Sequence, residues 1–247
     1  MRDYKNVTLS CNDIIKFLIV VFSLGLIVGY IFYDSFVIGI GFSLIFLSAL
    51  PAYKKSLIEK NKKKLLEQFR DLLYSVSFSI SCGRSMTQAL EESKEFWQNT
   101  YDETDFISIE INDMLNQIHS ANKNDVEVLK DFANRSGIDD IHDFVNTYQI
   151  LKETGGNMPL AINRASSLIG DKIGIEKDIK TAFSQKKFES IIVAVSPFLL
   201  ILMIKILSPG FISSLYESSS GIYISTLSLA LMIFAIVMMW RIMKIEI

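Results

Sequence analysis

The chain has 247 residues, of which 50% are hydrophobic, and a positive mean hydropathy of +0.32, which argues against a plain soluble protein. Its formal net charge of −2 gives no support for nucleic-acid binding, and its two cysteines imply no disulfide framework. The charges are unevenly placed, because residues 54–187 hold 19 of the 25 Lys and Arg and 21 of the 27 Asp and Glu. This distribution predicts a water-facing middle between membrane-embedded ends.

Two uncharged stretches follow the N-terminal segment, residues 1–16. We expect membrane helices at 17–33 and 36–53, because each stretch is about long enough to cross a core of roughly 30 Å at about 1.5 Å per residue. The turn between them is so short that it predicts an antiparallel hairpin. Gly25 and Gly29 permit close helix contact, either inside this hairpin or with a second copy.

A run of lysines follows the second span. By the positive-inside rule it places this side of the membrane in the cytoplasm. The predicted basic belt at the membrane surface consists of Lys54, Lys55, Lys62, Lys63 and Lys64. A nucleic-acid patch is the competing interpretation, and the acidic residues that soon follow weigh against it.

The polar middle has the pattern of helices only. Apolar residues at helical spacing predict an all-α bundle of six helices over residues 65–187, within a cytoplasmic domain at 54–187. No run alternates with a period of two, so we expect no strand. The last helix should be long and broken near Gly170 and Gly174.

Two corners in this domain share one pattern. At the second, Gly155 and Gly156 can take the positive φ that ends a helix, and Asn157 suits the N-cap of the next one. At the first, Gly83 and Ser85 are suited to the same roles. Seven positions match at a constant offset of 72 residues, which favours an internal duplication of a helical hairpin. The pairs are Leu72/Phe144, Leu73/Val145, Val76/Tyr148, Gly83/Gly155, Met86/Met158, Ala89/Ala161 and Leu90/Ile162.

An acidic stretch lies between residues 91 and 113, where Lys94 is the one opposing charge. It is either ordinary solvated surface or a docking face for a basic partner. The candidate partner-binding residues are Glu91, Glu92, Glu95, Glu103 and Asp105.

Sequence signatures of catalysis are missing. The chain has no phosphate-binding loop, no nucleophile elbow, no zinc-protease helix motif and no C-x-x-C pair. Its two histidines are far apart in sequence and lack partners at metal-ligand spacing. We therefore expect no catalytic residue, no cofactor and no metal, and we expect that this chain is not an enzyme.

Two further spans close the chain. We expect membrane helices at 188–208 and 221–240, with an extracytoplasmic loop at 209–220 and a cytoplasmic tail at 241–247. Four spans place both termini and the polar domain in the cytoplasm. Lys205 is a charge inside a span, and it either has a function there or snorkels to the lipid headgroups.

With these motifs in view, the chain resembles the type II secretion F family, the inner-membrane platform proteins of type II secretion and type IV pili. The resemblance rests on Phe69-Arg-Asp-Leu-Leu, Ser81-Cys-Gly-Arg-Ser-Met, Glu153-Thr-Gly-Gly-Asn-Met and the intramembrane Pro197. It implies a six-helix cytoplasmic domain over about residues 65–187. A single such domain, with two spans on each side, is similar to the tight-adherence (Tad, or Flp) pilus branch.

The resemblance also implies a role and a location in the cytoplasmic membrane. Family members couple a cytoplasmic assembly ATPase to pilin extraction and polymerisation, or to protein secretion. The implied partners are that ATPase, pilin subunits, membrane lipids and a second platform subunit or further copies of the chain. Two other classes stay open: a small four-helix transporter or channel, for which Lys205 is the charged candidate, and a membrane-anchored signalling adaptor.

Overall fold

The computed structural model describes residues 4, 11–33, 35–97, 101–208, 210 and 219–243. The predicted all-α class is confirmed, since the regular structure in these ranges is helical throughout, without a strand. A 3₁₀ turn at Leu47–Ala49 separates the second and third helices. The helices are α1 (Cys11–Tyr33), α2 (Phe36–Phe46), α3 (Leu50–Ser81), α4 (Met86–Trp97), α5 (Phe106–Ala121), α6 (Asp125–Ser136), α7 (Asp139–Thr154), α8 (Met158–Leu207) and α9 (Ser219–Met243).

The chain divides into two compact units. One, which we call the helical unit, is Met1–Thr8 together with Tyr53–Ile175. The other, which we call the membrane unit, is Leu9–Ala52 together with Glu176–Ile247. The helical unit ends at Ile175, and the domain bounds of 54–187 stay a prediction.

The helical unit is built around one hydrophobic core. Each helix from α3 to α8 contributes buried apolar side chains to it. Phe69 lies at its centre, with its ring centroid 5.8 Å from that of Phe132 and 5.5 Å from that of Phe144. Burying one such side chain stabilises the fold by about 1.5–3 kcal/mol, so this cluster is a main source of stability.

Both predicted corners have a left-handed glycine. Gly83 has a φ of +84° and Gly155 a φ of +74°, values that residues with a Cβ adopt only at a cost. Gly156 differs, because no positive φ is found there. Its lack of a side chain serves packing instead, since a Cβ at this position would lie 2.3 Å from Cδ2 of Leu151.

The helix that follows each corner is capped as predicted. At the first corner the Gln88 backbone N–H donates to Ser85 Oγ at 3.3 Å, and the Ser85 backbone N–H donates to Gln88 Oε1 at 3.1 Å. This reciprocal pair is a capping box. At the second corner the Leu160 N–H donates to Asn157 Oδ1 at 3.1 Å. Each cap contributes about 0.5–2 kcal/mol to the stability of its helix.

The 72-residue repeat extends into the core. Several pairs related by that offset are buried on both sides, so the duplication is a property of the packing as well as of the corners. These pairs are Leu66/Ile138, Phe69/Ile141, Leu72/Phe144, Leu73/Val145, Val76/Tyr148 and Leu90/Ile162.

The two hairpins meet through α3 and α8. Ser77 Oγ donates to the Pro159 carbonyl at 3.1 Å, and Ser166 Oγ donates to the Arg70 carbonyl at 3.0 Å. Residue numbers fall along α3 as they rise along α8, so the two helices run antiparallel. Hydroxyl-to-carbonyl bonds of this kind allow close approach of two helix backbones.

The prediction of a break near Gly170 and Gly174 is wrong, because α8 runs without interruption over 50 residues. Neither glycine has a positive φ, and each costs a helix only about 1 kcal/mol relative to alanine. The domain boundary expected at residue 187 therefore falls inside a continuous helix.

Three described helices contain a stretch long and apolar enough to cross a membrane. They are Ile14–Tyr33, the helix Met158–Leu207 and Ser220–Met239. A fourth crossing results if α2 and α3, which are bent by 53° at the break between them, count as one span. The membrane character of the chain agrees with the sequence, while the number of four spans stays a prediction.

The small residues of the first hairpin serve its internal packing. A Cβ on Gly29 would lie 2.4 Å from the Cα of Gly39, and one on Gly25 would lie 2.7 Å from the backbone N of Ser43. Ser43 Oγ also donates to the Gly39 carbonyl at 3.0 Å. The close contact between α1 and α2 therefore accounts for Gly25 and Gly29 without a second copy.

Replacing Gly155 by alanine should destabilise the chain, whereas replacing Gly174 should stabilise it. The first change puts a Cβ on a left-handed residue and should cost about 1–2 kcal/mol. The second removes a glycine from a helix interior where a Cβ meets nothing within 4 Å, and should add about 0.5–1 kcal/mol. Thermal unfolding of the full chain in detergent measures both. Shifts of the same sign in the two variants would contradict the corner geometry.

Candidate functional site

The predicted acidic face also meets basic side chains from outside the stretch 91–113. Three of its five carboxylates contact side-chain nitrogens from other turns or helices, namely those of Arg84, His119 and Lys64, which the local sequence could not show. The pairs are Arg84–Glu92 at 2.9 Å, His119–Glu91 at 2.9 Å and Lys64–Asp105 at 2.5 Å. Glu95 and Glu103 are exposed and are the carboxylates of the set most accessible to a partner.

Asp105 holds two helices together. Its carboxylate accepts from the Lys64 ammonium on α3 and from the Asp102 N–H at 3.1 Å, just before α5. The hydrogen bond from Lys64 lowers the pKa of the Asp105 carboxyl, and burial opposes that effect. The residue therefore stays ionised at neutral pH and ties α3 to the start of α5.

The lysines of the predicted basic belt differ in their contacts and exposure. Lys62 Nζ donates to the Gly137 carbonyl at 2.7 Å, where the end of α6 favours a cation, and Lys64 binds Asp105. Lys55 and Lys63 are exposed, while Lys54 is half-buried. Two of the five lysines, Lys62 and Lys64, therefore hold the helical unit together.

An ion-pair network that the sequence did not reveal lies inside the helical unit. Glu110 is fully buried, with 0% exposure, and both of its oxygens accept from the Arg135 guanidinium, at 3.0 and 2.8 Å. Asp131 accepts from Arg135 Nε at 2.8 Å, and Asp113 lies 3.4 Å from Nη2. Burial lowers the pKa of Arg135, but the hydrogen bonds to Glu110 and Asp131 outweigh that and hold the pKa above its usual range.

Tyr4 completes this network. Its hydroxyl donates to Glu110 Oε1 at 2.9 Å, its backbone N–H donates to the Arg135 carbonyl at 3.1 Å, and its ring packs edge-on against Phe106. The side chain is buried in the same core as α3 to α8. The network thus anchors this N-terminal residue to the helical unit, whereas the sequence placed it in a separate segment, 1–16.

One signal in the sequence pointed to Glu110. The residue lies on the apolar stripe of α5 between Ile107 and Met114, where a charged side chain is rarely buried without a partner. Glu110 was counted only as part of the acidic stretch 91–113, and its place on the apolar stripe was overlooked. The partner, Arg135, comes from α6 and is not evident from local spacing.

Lys205 contacts the end of α1. Its ammonium donates to the Tyr30 carbonyl at 2.6 Å and lies 3.6 Å from the centroid of the Tyr30 ring. Carbonyls in the last turn of a helix lack intrahelical donors, and a cation there is favourable. Lys205 is therefore a capping residue for α1, a role that neither sequence interpretation included.

Among the described residues, two surface cavities differ in their lining. One, of about 470 Å³, lies between α6 and α7 and is lined by both signs of charge, including Glu127, Lys130 and Lys152. The other, of about 540 Å³, lies between α8 and α9 and is lined mainly by apolar side chains around Pro197. Across the described residues, no three His, Cys, Asp or Glu side chains are grouped to hold a metal ion.

The Arg135→Ala variant should lose far more stability than Arg84→Ala. The first leaves Glu110 buried without its cation, which should lower the free energy of unfolding by about 3–5 kcal/mol. The second breaks an exposed pair worth about 1 kcal/mol or less. Unfolding of the full chain in detergent, followed by circular dichroism, measures both. Equal losses of unfolding free energy in the two variants would show that the buried network stabilises the fold no more than an exposed ion pair does.

Comparison with known proteins adds no relative. No protein-family model matches the chain. No curated protein and no solved structure matches it either.

Proposed function

We propose that the chain is a platform subunit of a pilus-assembly or type II secretion-like machine in the cytoplasmic membrane. The observation that supports it best is the pair of glycine corners. The motif residues behind the family resemblance, 81–86 and 153–158, both form a left-handed turn followed by a capped helix. The same local structure at both motifs supports an internal duplication of a helical hairpin.

The membrane helices give the proposal its second support. Three candidate spans, or four with the bent pair, flank a polar helical unit, as a membrane platform needs. In the proposed arrangement four spans carry a six-helix domain in the cytoplasm, with both termini on that side. The arrangement is that of the single-domain Tad pilus branch.

The proposed role is mechanical. A hexameric cytoplasmic ATPase supplies the energy, and this chain couples its movement to pilin extraction and polymerisation, or to secretion. The chain itself performs no covalent chemistry in this scheme. Glu95 and Glu103 are the exposed carboxylates available to a basic surface of the motor, and Lys55 and Lys63 are available to anionic lipid.

Reversing the two exposed charges tests the motor contact. The double variant Glu95→Lys with Glu103→Lys should reduce co-purification of the full chain with the assembly ATPase, because like charges would then face each other. Asp143→Lys, on an exposed position of α7, is the matched control and should leave the yield unchanged. Undiminished recovery of the ATPase with the double variant would remove this face from the proposal.

Gene deletion tests the proposed function itself. Loss of the chain in its own organism should abolish surface filaments or secretion, and the wild-type gene should restore them. Filament assembly and secretion that continue undisturbed would refute the platform role, whatever the ATPase experiment shows.

A further inference from the structure

A groove lies between α8 and α9, two of the helices that are long and apolar enough to cross a membrane. Its volume of about 540 Å³ is within the range of about 300–1,000 Å³ that is typical of ligand sites. One wall is α8 from Glu189 to Pro197, and the other is α9 from Met232 to Met239. Both walls belong to the membrane unit, so one compact part of the chain forms the whole groove.

The groove has one polar end and an apolar interior. Glu189 and Ser190 line the polar end, and the rest of the lining is apolar. Pro197 has no N–H to donate to the Val193 carbonyl, but Ser196 Oγ donates to that carbonyl at 3.0 Å. The Val193 carbonyl is therefore paired despite the proline, and the interior suits a hydrocarbon chain.

The groove is about as deep as one half of a bilayer. From Glu189 to Pro197, α8 rises about 12 Å at about 1.5 Å per residue, whereas half of a hydrocarbon core of about 30 Å is about 15 Å. Beyond this depth, Phe198 packs with Phe32 of α1 and Leu229 of α9 in one hydrophobic cluster. An acyl chain of one leaflet matches this length, whereas a membrane helix of a partner protein would cross the whole core.

The polar end of the groove carries a net positive charge. Both walls and one turn beyond the polar end, residues 186–197 and 232–243, hold three cations and one carboxylate, a net charge of +2. The charged residues of the two walls are Lys186, Lys187, Glu189 and Arg241. The first turns of α1, which packs against α9, add one charge of each sign and leave the sum unchanged. This end of the groove therefore complements an anionic headgroup.

Two lysines extend the α8 wall by one turn at the polar end. Lys186 and Lys187 stand seven residues before Val193 and Ala194, which line the groove, so they lie on the same face of α8. Both lysines are exposed. Lys186 donates to Glu189 at 3.3 Å, and an exposed pair of this kind contributes little to stability. Lys186 can therefore exchange that contact for a lipid phosphate.

We propose that this groove binds an anionic phospholipid, with one acyl chain between α8 and α9 and the phosphate on Lys186 and Lys187. Basic pockets between membrane helices are sites at which anionic lipid headgroups bind. The proposal needs only that α8 and α9 cross a membrane, and it does not rest on the platform function. Its test uses no filament, pilin or ATPase, so failure of one proposal leaves the other standing.

Photolabelling of the full chain in phosphatidylcholine vesicles tests the site. The probe is phosphatidylglycerol with a photoreactive group on one acyl chain, added as a minor component, and the comparison probe is phosphatidylcholine with the same group. Mass spectrometry of the digested chain should find the groove walls, 189–197 and 232–239, labelled several-fold more by phosphatidylglycerol. Ile19 on α1, which is 63% exposed and lies outside the groove, should be labelled equally by both lipids.

Charge reversal at the polar end tests the headgroup contact. The double variant Lys186→Glu with Lys187→Glu should lower phosphatidylglycerol labelling of the groove by about fivefold or more, because each lysine near an anionic lipid contributes a factor of about that size. Lys177→Glu with Lys180→Glu is the matched control. These two lysines are exposed on the same helix, more than one turn before Lys186, and their reversal should leave the labelling unchanged.

Three results would overturn the proposal. Equal labelling of the groove by the two lipids would show ordinary lipid contact without selection. Full phosphatidylglycerol labelling in the Lys186→Glu, Lys187→Glu variant would show that these lysines do not hold the phosphate. A groove that neither lipid labels, while Ile19 is labelled, would show that a protein surface covers it, from a second copy or from another partner.

Discussion

Two left-handed glycines determine how the chain folds back on itself. Gly83 and Gly155 adopt a backbone conformation that a side chain would make costly, and each ends one helix so that the next can begin within a few residues. Because the cap of the following helix comes at the same distance from each glycine, α4 and α8 leave their corners in equivalent ways. The two hairpins therefore have matching core positions, because the same glycine corner and helix cap occur in both.

More charged side chains form ion pairs and hydrogen bonds within the protein than the sequence suggests. Arg135 gathers three carboxylates around one guanidinium, and Lys62 and Lys64 tie α3 to the ends of neighbouring helices. In the membrane unit Lys205 completes the end of α1. What is left at the surface is a smaller set of charges, and it is this set, together with exposed apolar side chains, that is available to partners.

Local patterns predicted the local structure well. The helices Phe106–Ala121, Asp125–Ser136 and Asp139–Thr154 have the helical character predicted for residues 65–187, because apolar spacing and glycine stops act within a few residues. The caps at Ser85 and Asn157 were predictable for the same reason. The predicted helix break at Gly170 is wrong, because it was inferred from the glycine alone and the flanking turns keep the helix intact.

Side-chain contacts between residues far apart in the sequence could not be predicted from local patterns. The partner of Glu110 lies 25 residues away on another helix, and the carbonyl that Lys205 caps lies 175 residues away. Nothing in local spacing selects one arginine or one carbonyl over another. The candidate partner face was consequently predicted as a set of carboxylates, and the fold decides which of them are free of internal ion pairs.

The central claim is that membrane helices carry the helical unit on the cytoplasmic side, and cysteine labelling tests it most directly. Cys82 is exposed in the helical unit, and Ser220→Cys would report on the far side of the membrane. In a Cys11→Ser background, a membrane-impermeant maleimide added to intact cells should label Ser220→Cys and leave Cys82 untouched, with the reverse in inverted vesicles. Labelling of Cys82 in intact cells would contradict the account.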